Sequence, residues 1–584
     1  MPSPLPKKRL IICCDGTWQN SDNGNAKSSN GKSEPRLQIP SNVTRISRCF
    51  KRTCSDGVFQ IIYYQSGVGS RSGILDRLFG GAFGTGISEN IREAYAFLCA
   101  NYVNGDEIVL LGFSRGAFTA RSIGGMVSDL GLLTRVGMEY FYPIFKDMQN
   151  WTNENYDDPF PTIPFTNKPK GEDAASVYRE RLIEKGYSRA RGNNGQGAMI
   201  RVLAIGVWDT VGCLGIPDIE ILSRLGIKRC THEYLTMPTY EFYNTHLSNK
   251  IQHGFHALAL DEMRGPFTPT LWERRPQEQN TSHLCQVWFP GSHANIGGGW
   301  PDQGIADTTL AFGCEFLPDA LKRAFEATVK YYTNRESESA RCMSTCGACS
   351  QLRTQKPTVW AEKTIYESNK PVRPWSLHFI QSATGPLYDL LGSVTRAPGM
   401  YKKINPRNGR PLPDFLEDTN ERIHPSVRYW RPQRVPRDFF DSVPQTADGG
   451  PLSLNNQPRT TSRPPDPAEN TANTAAVSRE SLHMLSHDLS EPWVWIYVGP
   501  EDFAPVSRIM AEETLGPFEK QLLELAAGKV PVYEYAERQH VDEFKAFHLR
   551  SFAKTMKRLH RKWHEMEKKA ARLARRHHDA RREQ

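Results

Sequence analysis

The sequence predicts an α/β fold with a doubly wound, mainly parallel sheet, and three observations carry that expectation. Short apolar runs alternate with helical patterns through the first half, the order that builds βαβ units. One of these runs passes straight into Gly112-Phe113-Ser114-Arg115-Gly116 and then into a helix of small residues. The 584 residues, 39% hydrophobic and 23% charged, are ample for a large buried core. A mean hydropathy of −0.54 excludes a polytopic membrane protein, and the composition excludes fibrous or collagen-like chains. The 73 Lys and Arg exceed the 64 Asp and Glu by 9, and much of that excess lies near the C-terminal end.

In chain order, the apolar run from Leu10 stops at Asp15, short of the roughly 7–15 residues of a leader's apolar segment. It reads as a buried strand. No segment approaches the roughly 18 apolar residues of a membrane span, and the 12 Cys suit reduced thiols, so a cytoplasmic protein is expected. Strands are expected at 9–14, 59–65, 107–112, 200–209, 255–260 and 284–289. A helix should open at Ser88 as N-cap, with the glycines at 80, 81, 84 and 86 forming a tight turn before it. Residues 21–37 are polar and Gly/Ser-rich, a surface loop, and 150–170 form a Pro- and Asp-rich insertion.

The α/β domain is expected over 8–415. Residues 431–479 are too poor in apolar groups to offset ordering, so they read as a disordered linker or insertion. Residues 490–584 hold a further strand and a basic helix. Leu549, Phe552, Met556, Leu559, Trp563, Met566, Ala570 and Leu573 mark an apolar seam on that helix. Docking on its own domain is the plain reading, and contact with an anionic membrane or a partner helix is the functional one. No nucleic-acid partner is expected. Cys342, Cys346 and Cys349 have cluster-like spacing but sit in a hydrophilic stretch, so free thiols are expected.

The strongest motif is G-x-S-x-G between a strand and a helix, the context of a nucleophile elbow. Gly112 and Gly116 leave room for a tight turn. The turn lifts the Ser114 hydroxyl above the sheet edge and aims the Arg115 N–H at a developing oxyanion. A serine nucleophile needs a base and an orienting acid, in the chain order Ser, acid, His. Three later strand ends supply Asp209, Asp261 and His293. With the elbow on strand five of an α/β-hydrolase sheet, these follow strands six, seven and eight. The acid usually follows strand seven, which favours Asp261 over Asp209, with His293 as base. A second oxyanion donor should come from the loop after the first strand, from Gly16 or Thr17, with Asp15 holding that loop.

Together CDGTWQN (14–20), GFSRGAFTARS (112–122), GVWDTVG (206–212), HALALDEMRGPFTPTLW (256–272) and WFPGSHANIGGGW (288–300) resemble the DUF2235 family. That α/β-hydrolase group includes the catalytic domain of Tle1-type phospholipase effectors of type VI secretion. The resemblance spans about residues 8–400 and implies a serine hydrolase acting on carboxylic esters, phospholipids among them. Carried over by position, Ser114 is the nucleophile, His293 the base, and Asp261 or Asp209 the acid. The sequence departs from the family at Asn295, where an acidic residue is common. No cofactor or metal is needed for this chemistry. The rival reading is a non-catalytic hydrolase-fold scaffold acting through the basic C-terminal helix.

Overall fold

The structure, a computed structural model, describes residues 7–16, 39–50, 52–53, 57–67, 83–153, 156–171, 173–191, 199–211, 246–276, 281–300, 303–315, 380, 396–404, 411–429, 440–444, 493–497, 509–516 and 519. Thr17, the 21–37 loop, the Cys342, Cys346 and Cys349 trio and the seam of the basic C-terminal helix lie outside the described residues.

The strands are β1 (Lys8–Cys14), β2 (Phe59–Gln65), β3 (Glu107–Phe113), β4 (Leu132–Leu133), β5 (Ser188–Arg189), β6 (Val202–Trp208), β7 (Ile251–Ala259), β8 (His283–Phe289), β9 (Lys402–Ile404), β10 (Pro411–Phe415), β11 (Glu421–Ile423), β12 (Phe440–Pro444), β13 (Trp493–Tyr497) and β14 (Ile509–Ala511). The helices are α1 (Asn42–Cys49), α2 (Phe83–Asn101), α3 (Arg115–Asp129), α4 (Arg135–Glu139), α5 (Phe141–Gln149), α6 (Ala174–Glu184), α7 (His293–Gly297), α8 (Gly304–Glu315) and α9 (Ser426–Tyr429).

Seven strands form one sheet in the order β11-β8-β7-β6-β3-β1-β2, every pair parallel. All six strands expected from the sequence are present. A parallel sheet is covered on both faces, so its strands carry unbroken apolar runs. Successive side chains then enter opposite cores. Leu10, Ile12, Ile108 and Leu110 pack against Ile91, Tyr95 and Leu98 of α2 and Ile123 of α3. Ile11, Cys13, Val109 and Leu111 belong to the other layer, with Val43 and Ile46 of α1 and Leu310 and Phe312 of α8. Truncating one fully buried residue such as Ile12 to Ala would cost about 2–5 kcal/mol.

The glycine turn and the Ser88 cap expected before α2 are corrected. Helix α2 begins at Phe83, so Gly84 and Gly86 lie within it and Ser88 is not its cap. Among the described residues the Ser88 hydroxyl is buried without a partner. The sheet takes its edge strand β11 from beyond residue 415, where the domain was expected to end. Phe440–Pro444, inside the stretch expected as linker, is strand β12, which pairs with β13, and β13 pairs with β14. A bridge from Ile423 to Glu512 joins this segment to β11. The 150–170 insertion is pinned to the domain by Lys168, which binds both Asp147 (2.9 Å) and Asp158 (2.8 Å).

Among the described residues Cys13, Cys14, Cys49, Cys99 and Cys285 are free thiols, and no helix is long and apolar enough to cross a membrane.

Candidate active site

Ser114 joins β3 to α3 with φ 58° and ψ −122°. A non-glycine residue with positive φ costs about 1–3 kcal/mol and persists only where its surroundings impose it. They do so here. A Cβ on Gly112 would overlap the backbone of Gly116 and Ala117, and one on Gly116 would overlap the carbonyl oxygens of Cys14 and Asp15. The turn therefore packs directly on the end of β1. Helix α1 starts at Ser41 and α4 at Thr134, and both of those hydroxyls accept an amide of the first turn. The Ser114 hydroxyl makes no such cap.

Phe113, the residue before it, gathers three sequence motifs at one point. Its ring fills the space that Cβ atoms on Gly16 and Gly297 would need, and it lies 4.7 Å from the His293 ring. His293 is the first residue of α7 and is also flanked edge-on by Phe267 at 4.9 Å. The base expected from sequence thus sits against the residue next to Ser114. Among the described residues no hydrogen bond joins the two side chains.

His293 Nδ1 meets Asp209 Oδ2 at 2.6 Å. The acid favoured in the sequence, Asp261, is elsewhere: its Oδ2 accepts the Gly291 N–H at 2.6 Å, and its own amide donates to the Gly291 carbonyl. It braces the loop before His293 and does not touch the imidazole. The reason lies in the sheet. Strand β6 is the direct neighbour of β3, and the Ser114 amide donates to the Trp208 carbonyl at 3.0 Å. Asp209, one residue on, is therefore held beside the elbow, and His293 reaches it across the end of β7.

Asp209 is fully buried, with φ 43°. Its amide donates to Ala257 and its Oδ1 accepts the Ala259 N–H. Arg396 grips both carboxylate oxygens, Nη2 reaching Oδ2 at 3.0 Å and Nη1 reaching Oδ1. Burial alone would raise the carboxyl, but Arg396 and His293 outweigh it and hold the group well below the usual carboxylate range. Burial lowers His293, and Asp209 only partly offsets that. At neutral pH the ring is uncharged, with Nδ1–H donated to Asp209 and Nε2 left as a base. Burial pushes Asp261 up to about 7.

Three further residues shape the site and were missed in the sequence. Arg396 is one. Glu262 accepts the His293 backbone N–H at 3.2 Å and is itself held by Arg264 through two bonds of 2.8 Å. His256, lowered by burial to about 3, accepts the Thr210 amide through Nε2 at 2.9 Å and so braces the turn carrying Asp209. Its place in HALALDEM was the available signal.

Arg115 is the first residue of α3 and directly follows Ser114. The Gly16 N–H, expected as an oxyanion donor, donates to Asp15 Oδ1 at 2.7 Å. Asp15 also accepts from Ser41, Thr44 and Tyr64, which ties the end of β1 to the start of α1 and to β2. Asn295 accepts the amide and hydroxyl of Ser292 at 3.1 and 3.0 Å. At this position the side chain caps α7, a task an acidic residue performs equally well.

A family model described as the T6SS phospholipase effector Tle1-like catalytic domain matches residues 8–315, just over half of the chain. The chain belongs to this Tle1-like family. The match covers the elbow, both candidate acids and His293. The Tle1-like chain is also 27% identical over 273 residues to the uncharacterized protein YEL023C of Saccharomyces cerevisiae, across 44% of this chain and 32% of that one. It therefore spans about a third of that relative's length. A crystal structure of an uncharacterized protein from Pseudomonas aeruginosa aligns at 15% identity with a TM-score of 0.25, covering 52% of this chain and 44% of the other.

Proposed function

We propose that this chain is a serine hydrolase of carboxylic esters, with phospholipids as its substrate class, acting through Ser114, His293 and Asp209. One observation carries the reading: a buried Asp209–His293 pair stands beside a strained, uncapped serine at the ends of a parallel sheet. Ligands bind in open α/β sheets at those carboxyl ends. Membership of a phospholipase catalytic-domain family supports the substrate class.

In this mechanism His293 Nε2 takes the hydroxyl proton as Ser114 Oγ attacks the ester carbonyl. Asp209 fixes the ring and stabilises the imidazolium that forms. The Arg115 N–H and the positive end of α3 hold the oxyanion, and the second donor falls to the loop after Gly16, beginning at Thr17. Collapse of the tetrahedral adduct passes the proton from His293 to the departing alcohol and leaves an acyl group on Ser114. Water, deprotonated by the same imidazole, then releases the acid. Closure of the Ser114–His293 contact accompanies substrate binding, since such bonds are often open in the free enzyme.

The test is a panel of short-chain esters and phospholipid vesicles, followed by release of alcohol or fatty acid. Wild type should hydrolyse both classes and Ser114→Ala neither. Turnover of neither class by wild type, or equal turnover by Ser114→Ala, overturns the proposal.

A further inference from the structure

We propose that Arg396 is a positioning residue for this reaction, clamping Asp209 beneath His293 and offsetting its charge. The inference rests on the function proposed above. Arg396 is buried and follows Asp209 by 187 residues in sequence. Both its terminal nitrogens are spent at the site. Nη1 binds Asp209 Oδ1 and the Ala259 carbonyl (2.7 Å), and Nη2 binds Asp209 Oδ2 and the Phe267 carbonyl. One guanidinium thus ties together the ends of β6 and β7 and the residue whose ring lies edge-on to His293. A planar fork does this where a lysine's point charge cannot.

The clamp also has an electrostatic consequence. The charged and titratable groups facing His293 are Asp209, Glu262 and Arg264. Glu262 and Arg264 neutralise one another through their paired bonds. Asp209 is faced by Arg396 and His293 and lies near His256, which is neutral. Arg396 in turn faces Asp209, Glu262, Tyr401 and Asp261. With Arg396 present, the buried carboxylate has its countercharge and His293 remains neutral and basic. Without it, the nearest group able to neutralise Asp209 is His293, which would take a proton and cease to be a base until a higher pH.

The experiment compares full-length wild type, Arg396→Gln and Arg396→Lys. The measurements are kcat and KM on an ester substrate from pH 5 to 9, and the His293 titration from imidazole C2-hydrogen exchange by mass spectrometry. Arg396→Gln should lose about 10- to 100-fold in kcat with KM within about twofold, and both its acid limb and its His293 titration should move to higher pH. Arg396→Lys should recover part of kcat and keep the wild-type limb. Wild-type kcat with an unmoved limb in Arg396→Gln overturns the proposal, as does lost kcat with unmoved His293 titration, the mark of a mere staple. If Arg396→Gln does not fold, Arg396→Lys decides: a several-fold loss of kcat supports the clamp and wild-type kcat contradicts it. Should wild type turn over no ester while Arg396→Gln still shifts the His293 titration, the functional reading falls and the clamp stands.

Discussion

Asp209 Oδ2 lies 2.6 Å from His293 Nδ1, a contact that closes 84 residues of chain and crosses the end of strand β7. Asp261, nearer to His293 in sequence and just beyond the end of the strand between them, bonds the Gly291 backbone instead. The two carboxylates therefore have separable roles. Asp209→Asn should lower kcat by roughly 10⁴-fold, the scale of loss when a triad acid becomes an amide and the ring takes the wrong tautomer. Asp261→Asn should cost less than about tenfold, since an amide oxygen still accepts the Gly291 N–H. Steady-state ester kinetics on both variants check this, and a reversed order would return the acid's role to Asp261.

The pH dependence follows from His293. Burial holds its folded value below the ordinary histidine value of about 6.5. The base must be neutral to work, so the acid limb of kcat/KM should lie below the pH of an ordinary histidine, about 6.5. The linked stability has the same sign: the unfolded chain binds the proton more readily, so this group's contribution is lost as pH drops below about 6.5. A pH–rate profile with its acid limb above 7 would contradict this placement.

Asp261 makes the opposite contribution. Its folded value of about 7 stands above the unfolded value near 3.9, so folding carries a penalty that grows as pH rises from about 4 through 7. Asp261→Asn removes the ionisable group. Thermal unfolding should show the variant more stable than wild type at pH 8 and the difference gone at pH 4. A destabilised variant at pH 8 would mean the ionised carboxylate contributes more through Gly291 than burial takes away.

At the elbow, Gly116→Ala introduces a methyl group against the Cys14 and Asp15 carbonyls, which are backbone and cannot swing aside. The turn must move away from β1. We expect about 1–3 kcal/mol of lost stability from overpacking, read by denaturant unfolding, and a larger proportional loss of kcat than of stability. Unchanged kinetics would mean that the close approach of the turn to β1 does not set the position of Ser114.

Much of this was legible because buried parallel strands advertise themselves. Six apolar runs marked six of the seven sheet strands, and the strand–GxSxG–helix order marked Ser114. Strand β11 has only three residues, Glu-Arg-Ile, too few for any periodicity to emerge. The sequence favoured Asp261 over Asp209 from the usual position after strand seven, and it does not express that β6 lies directly beside the elbow strand, which is what sets Asp209 against His293. Arg396 had no signal: a lone arginine far downstream acquires meaning only once the chain has folded back on Asp209. Gly16 has the right residue type for an oxyanion donor, yet its neighbour Asp15 captures the amide locally. Ser88 resembles an N-cap, but α2 begins upstream of it, at Phe83.

Covalent labelling reads the reactivity of the Ser114 hydroxyl without choosing a substrate. Folded protein treated with a fluorophosphonate probe, digested and mapped by mass spectrometry, should carry the adduct on the Ser114 peptide, and Ser114→Ala should carry none. Wild type that stays unmodified, or an adduct formed at the same rate in Ser114→Ala, would contradict the account.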